Sequence, residues 1–220
     1  MSGEESLLAE TGLQFFGRMS ASITHEIKNV LAIINENAGL LDDIVLMAEK
    51  GLDIAPERLQ RLAQTIGTQV GRADAVVKMM NHFSHSIDNF VEPVDLTQVA
   101  SDVCALFQRL LQMQGVTLKT VVPPVPVVVT TSRFYVQNLL WSCLNRAAGI
   151  RTDKRTISLT AEKTDSGAQV RLTGLTDLDK DAFSQFPSPH EDSLLAALDA
   201  RLDFSVAKGE ITISFINDNR

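Results

Sequence analysis

Apolar side chains recur along the first ninety residues at the spacing of a helical seam. Phe16, Ile23, Ile27, Val30, Ile34, Leu41 and Ile44 follow one another by sevens, fours and threes. No proline or glycine falls between Arg18 and Ala38, so one long helix is expected from about residue 6 to residue 50. Gly51 closes it and Pro56 opens the next, the usual asymmetry of helix ends. The second helix is expected over residues 56–89, with Leu59, Leu62, Ile66, Gln69, Ala73, Val76, Met80, Phe83 and Ile87 as its seam. Together the two make an antiparallel hairpin. Leu31, Ile33, Leu40, Val45 and Met47 flank the first seam, so its apolar face is wider than one partner helix covers. A second hairpin would cover it, which predicts a homodimeric four-helix bundle. Asn37, an amide at a seam position, is expected to fix register.

Beyond Pro93 the period changes. Asp95 is placed to cap a helix running to about residue 114. Residues 116–122 alternate and are β-branched, as a strand requires, and residues 127–130 predict a short edge strand. Ser132 is placed to cap a strongly apolar helix ending near Gly149. Residues 155–163 and 168–173 alternate around Thr164-Asp165-Ser166-Gly167, a hairpin. Short helical pieces are expected over 177–186, a helix over 190–201, and a last hairpin of 203–207 and 210–216 around Lys208-Gly209. The fold class is therefore α+β: residues 1–91 form the helical hairpin, and residues 92–220 form a two-layer sandwich of helices on a mostly antiparallel sheet.

The seam also fixes where the polar residues of the first helix lie. With Ile23, Ile27, Val30 and Ile34 turned inward, His25 falls on the outer face, and Asn29 lies one turn above it on the same strip. An exposed imidazole on a rigid helix is suited to attack phosphorus and hold a phosphoryl group. Glu26 is placed to orient or deprotonate the ring, and Asn29 to hold a water or a partner's carboxylate. The residues alone leave a plain alternative open, a solvated surface histidine. His82 and His85, in the last turns of the second helix, read as capping or surface residues. His25-Glu26 does not begin a zinc motif of the His-Glu-x-x-His type, because position 29 is asparagine.

The run His25-Glu26-Ile27-Lys28-Asn29-Val30-Leu31 resembles the phosphoacceptor box of the sensor histidine kinases of two-component systems. The usual form is His-Glu-aliphatic-Lys/Arg-Asn/Thr-Pro-Leu; Val30 stands where proline is common. Arg72, Val76, Val77, Met79, Met80, Phe83 and Ser84 are spaced as in the second helix of that family's dimerisation domain. Pro93-Val94-Asp95-Leu96 resembles the start of its ATP-binding domain, and residues 137–147 its asparagine-bearing helix. In register, the first asparagine of that helix falls on Trp141, and Asn145 alone keeps a magnesium-holding position. The Asp-x-Gly-x-Gly of the family reads Thr176, or Asp177 in a shifted register, with no glycine following at the required places. No glycine lies between Asp179 and Gly209, where the family has its flexible lid.

The resemblance therefore implies a degenerate ATP-binding domain that has lost the nucleotide. Histidine phosphotransferases of sporulation and cell-cycle phosphorelays have this design. It implies phosphoryl transfer between receiver-domain aspartates through His25, tuned by Glu26 and Asn29, with Lys28 on the docking face, Asn145 vestigial, and no cofactor. The alternatives are a response-regulator phosphatase using Glu26-x-x-Asn29, a histidine kinase with a divergent site for ATP and magnesium, and a non-enzymatic pseudokinase regulator.

Composition narrows this without changing it. The 220 residues are 45% hydrophobic, enough for a real core. Net charge is −7, with 7 basic against 12 acidic side chains in residues 1–90 and 13 against 15 in 91–220, which excludes the basic footprint of a nucleic-acid binder. Cys104 and Cys143 have no metal-ligand spacing and read as free thiols of a reducing compartment. The acidic start is no secretory signal, and no apolar stretch is long enough for a bilayer. A cytoplasmic protein with receiver domains as partners, no membrane contact and input through a partner is expected.

Overall fold

The computed structural model describes residues 3–149, 155–175 and 185–216. The chain forms two compact units. One is residues 18–82; the other joins residues up to 17 to residues from 83 onward. This division differs from a boundary at 91/92, and aromatic packing explains why. Within the larger unit Phe15, Phe83 and Phe134 lie with ring centroids 5.5–6.3 Å apart, Phe107 lies 6.3 Å from Phe15, and Phe16 stacks on Phe83 at 5.2 Å. The first turns of the chain thus supply core side chains to the α+β unit.

The smaller unit is a helical hairpin. Helix α1 (Gly3–Glu49) and helix α2 (Pro56–Ser84) provide its two arms. Buried positions on α1 are Met19, Ile23, Val30 and Ile44, and on α2 Leu62 and Val76, all at heptad-compatible spacings. The expected seam holds in its middle and drifts at its ends. Phe15 and Met19 are buried while Phe16 is only half-buried, and Leu41 and Leu59 are exposed. The arms run antiparallel: Arg72 pairs with Glu26 toward the open end, and the Arg58 guanidinium reaches the Met47 sulfur (3.8 Å) near the loop. Gly51, at φ 75°, lets its N–H bond the Ala48 carbonyl (2.9 Å) while the Leu52 N–H bonds that of Met47 (3.1 Å), a Schellman closure. Asn37 donates to the Ile33 carbonyl one turn back (2.7 Å), so its amide satisfies its own helix.

In the larger unit α2 gives way to a 3₁₀ turn, His85–Ile87, earlier than the expected end at residue 89. Strand β1 (Glu92–Asp95), where Pro93 signalled only a boundary, pairs antiparallel with β3 (Val128–Thr131) in a separate two-stranded sheet. Asp95 caps α3 (Leu96–Gln112) by accepting from the Thr97 N–H at 2.9 Å. Strand β2 (Val116–Val121) follows, then α4 (Arg133–Ala148), capped by Ser132. Next come β4 (Arg155–Thr164), β5 (Gly167–Thr173), α5 (Pro189–Leu198), β6 (Ala200–Ser205) and β7 (Glu210–Ile216). The main sheet has the order β2-β4-β5-β7-β6, with β2 parallel to β4 and every other pair antiparallel.

Alternation sets the layers. Ile157, Leu159, Val170, Leu172, Ile211 and Ile213 are fully buried on one face, and α3 and α4 bring Val103, Phe107, Leu139 and Leu144 to the same core. The other face is polar, with an ion pair between Glu162 and Arg171. Helix α5 stops at Leu198, short of residue 201, because its C-cap Asp199 turns left-handed (φ 47°) and β6 begins at the next residue. Gly174, at φ 85°, sits where a Cβ would lie 2.2 Å from the Thr156 carbonyl oxygen, so only glycine fits. The expected helical pieces over 177–186 and the nucleotide-reading positions Thr176 and Asp177 lie largely or wholly outside the described residues.

Candidate functional site

The residues of the hairpin strip fall as follows. His25 is exposed on α1, midway along a stretch free of glycine and proline. Asn29, half-buried one turn on, places its Nδ2 3.2 Å from His25 Nδ1. The helix supplies this contact, because side chains four residues apart stand one above the other. Glu26 is mostly covered (side chain 13% exposed) and ion-paired across the hairpin with Arg72, itself 52% exposed. Lys28 is exposed on the same helix. The structure therefore brings together His25 with Asn29, and Glu26 with Arg72. Arg72 was legible only as a family-like position on α2; spacing within one helix cannot name a partner 46 residues away.

Its chemistry matters, because a carboxylate beside an approaching phosphoryl dianion would repel it. At about 4 Å two like charges interact by roughly 4 kcal/mol in a surface environment. The guanidinium of Arg72 offsets Glu26 and has further N–H donors in its fixed fork.

Other groups carry less. His85 Nδ1 binds Asp88 at 2.6 Å, a local helix-end contact, and His82 is exposed. Among the described residues no group of three or more His, Cys, Asp or Glu side chains is placed to hold a metal ion. No helix among them is long and apolar enough to cross a membrane. A recess of about 380 Å³ in the larger unit is lined by Leu8, Phe16, Phe90 and Phe134 and has no charged wall residue.

The nucleotide-like positions lie in the larger unit. Asn145 is exposed on α4. Trp141 is buried, its ring 4.7 Å from that of Phe107, and an indole has no oxygen to offer magnesium. Next to it the Ser142 hydroxyl bonds the buried Glu191 carboxylate. Burial pushes Glu191 up, yet hydrogen bonds from the Ser142 and Ser188 hydroxyls and the Ser188 N–H (2.8 Å), with the charge of His190, leave it below the usual carboxylate range. Glu191 thus locks α5 to α4. Burial pushes the Cys143 thiol up, as does the Glu191 charge, and burial raises Cys104 to about 11 despite a hydrogen bond from Thr120. Neither is a ready nucleophile.

No family model matches the sequence, and no curated protein sequence does. Solved structures do resemble it. The chain is similar to the histidine kinase AdeS of Acinetobacter baumannii, at 15% identity and a TM-score of 0.47, over 89% of this chain and 98% of that one. It is similar to the cytoplasmic segment of the histidine kinase QseC, at 15% identity and 0.42, over 70% and 94%. It is also similar to the histidine kinase ThkA in its complex with the response regulator TrrA, at 19% identity and 0.42, over 91% of this chain and 61% of that one. These three solved structures are of histidine kinases, and the chemistry of this chain is read from His25 and the residues around it.

Proposed function

We propose that the protein is a histidine phosphotransferase of a two-component relay, passing a phosphoryl group between receiver-domain aspartates through His25 without ATP. The observation that carries this is the exposed imidazole beside a carboxylate already neutralised by Arg72. A ring nitrogen attacks the phosphorus of an aspartyl phosphate. The bond from phosphorus to the carboxyl oxygen breaks, and the carboxylate leaves with the electron pair. The phosphorylated ring loses its remaining N–H proton to water and returns to neutrality. Both acyl phosphate and phosphoramidate are energy-rich, so transfer runs either way without a nucleotide. Lys28, exposed on the same helix, joins the face that meets the acidic pocket of a receiver.

The reading without a nucleotide is supported by the buried Trp141, which the resemblance aligns with an asparagine of the family, and by the lack of glycine between Gly174 and Gly209. Asn145 alone does not make a magnesium site. A homodimer completes the reading. Leu31, Leu40, Leu41, Val45 and Leu46 on α1 and Val70 and Val77 on α2 are exposed, and a second hairpin would cover such a stripe. Sedimentation at micromolar concentration is expected to give twice the chain mass; a monomer would remove this part.

The transfer itself is tested with a receiver domain carrying labelled phosphate from a small acyl phosphate. Label is expected to move to this chain with no nucleotide present, to be acid-labile, and to pass on to a second receiver. Label acquired from ATP and magnesium, and from no receiver, would replace this reading with that of a kinase.

A further inference from the structure

We propose that Asn29 is a positioning residue that sets which nitrogen of His25 bears the ring proton, and thereby when the ring can attack phosphorus. The consequence for phosphoryl transfer rests on the phosphoacceptor reading of His25; the tautomer itself does not.

A neutral imidazole has one N–H and one bare nitrogen, and only the bare nitrogen is a nucleophile. Asn29 Nδ2 lies 3.2 Å from His25 Nδ1. With the amide NH₂ turned to the ring, Nδ1 accepts and the proton sits on Nε2. The ring is then silent at both nitrogens: the Nδ1 lone pair is tied to the amide, and Nε2 is protonated. A half-turn of the amide about its last torsion changes this. It brings Oδ1 to the place of Nδ2, and an amide oxygen only accepts. The proton then belongs on Nδ1 and the Nε2 lone pair is free for attack. Such terminal torsions are broad and two-fold, so the turn needs no backbone movement. The i, i+4 spacing holds the two side chains in register in both states.

In the competent state the step balances. Nε2 forms a bond to phosphorus, the carboxyl oxygen departs with its electron pair, and the Nδ1–H, bonded to Oδ1, carries the positive charge until it passes to water. Rotation of the Asn29 amide thereby biases the ring toward or away from the competent tautomer by about fivefold.

The test uses the full chain labelled with ¹⁵N-histidine, with Asn29→Asp and Asn29→Ala variants, at alkaline pH where imidazole is neutral. His25→Gln assigns the resonance among the four histidines. Nitrogen shifts and two-bond couplings report the tautomer directly. Wild type is expected to show the Nε2–H pattern. Asn29→Asp, which can only accept, is expected to shift the ratio toward Nδ1–H by about fivefold, the worth of one hydrogen bond. The tautomer ratio is the deciding readout for this variant, because its new carboxylate also repels the phosphoryl dianion. Asn29→Ala should fall between the two tautomer ratios. Backbone amide spectra that otherwise superimpose show that the helix is unchanged. One tautomer ratio shared by all three proteins would overturn the proposal. If wild type takes no label while the tautomers respond as expected, it is the phosphoacceptor reading that fails.

Discussion

His25→Ala is expected to remove phosphoryl uptake from a phosphorylated receiver by at least about 100-fold, to the background of the assay. In the proposed relay the ring is the nucleophile, and no neighbour replaces it: Asn29 is an amide, and Glu26 is held by Arg72. The substitution lies on an exposed helical position, where stability changes by no more than about 0.5 kcal/mol. Circular dichroism and the thermal midpoint should therefore match wild type. Retained uptake in this variant would move the acceptor elsewhere, and loss of fold would void the comparison.

The second large effect is structural. Phe83 is 1% exposed and touches three rings, those of Phe15, Phe16 and Phe134. Phe83→Ala leaves a cavity among side chains drawn from the start of α1, the end of α2 and the first turn of α4. The expected loss is about 3–5 kcal/mol, a fall of roughly 10 °C in thermal midpoint for a chain of this size. Phe90, 62% exposed against Tyr135, is the control, and Phe90→Ala should cost about 1 kcal/mol or less. Equal effects from the two would show that the aromatic cluster is not the core of the larger unit.

The helical face and the caps were legible because they are local. The seam positions Ile23 and Val30, the cap at Asp95 and the hairpin around Gly167 each follow from residues within a turn or two. The exposure of His25 came with the seam, since inward isoleucines leave position 25 outside. What was not legible depends on distant partners. The Glu26–Arg72 pair joins residues 46 apart, and the expected pairing of Glu26 with the ring competed with it unseen. Phe15 and Phe16 are adjacent, so periodicity could not say which would turn inward; contact with Phe107 and Phe134 decides it. Strand β1 was missed because Pro93 reads as a breaker, yet its place in a two-stranded sheet leaves the missing N–H without consequence. The seam amide Asn37 satisfied its own helix, an option a heptad pattern does not display.

The most direct measurement is to find where the phosphate goes. Wild-type protein, incubated with a phosphorylated receiver and no nucleotide, would be digested under alkaline conditions that preserve phosphoramidates and mapped by mass spectrometry, with a ³¹P spectrum of the intact chain alongside. A single phosphoramidate signal, with the modification on the peptide that contains His25, is the predicted result. A phosphate found on any other residue, or an unmodified chain after the receiver has lost its own, would contradict the account.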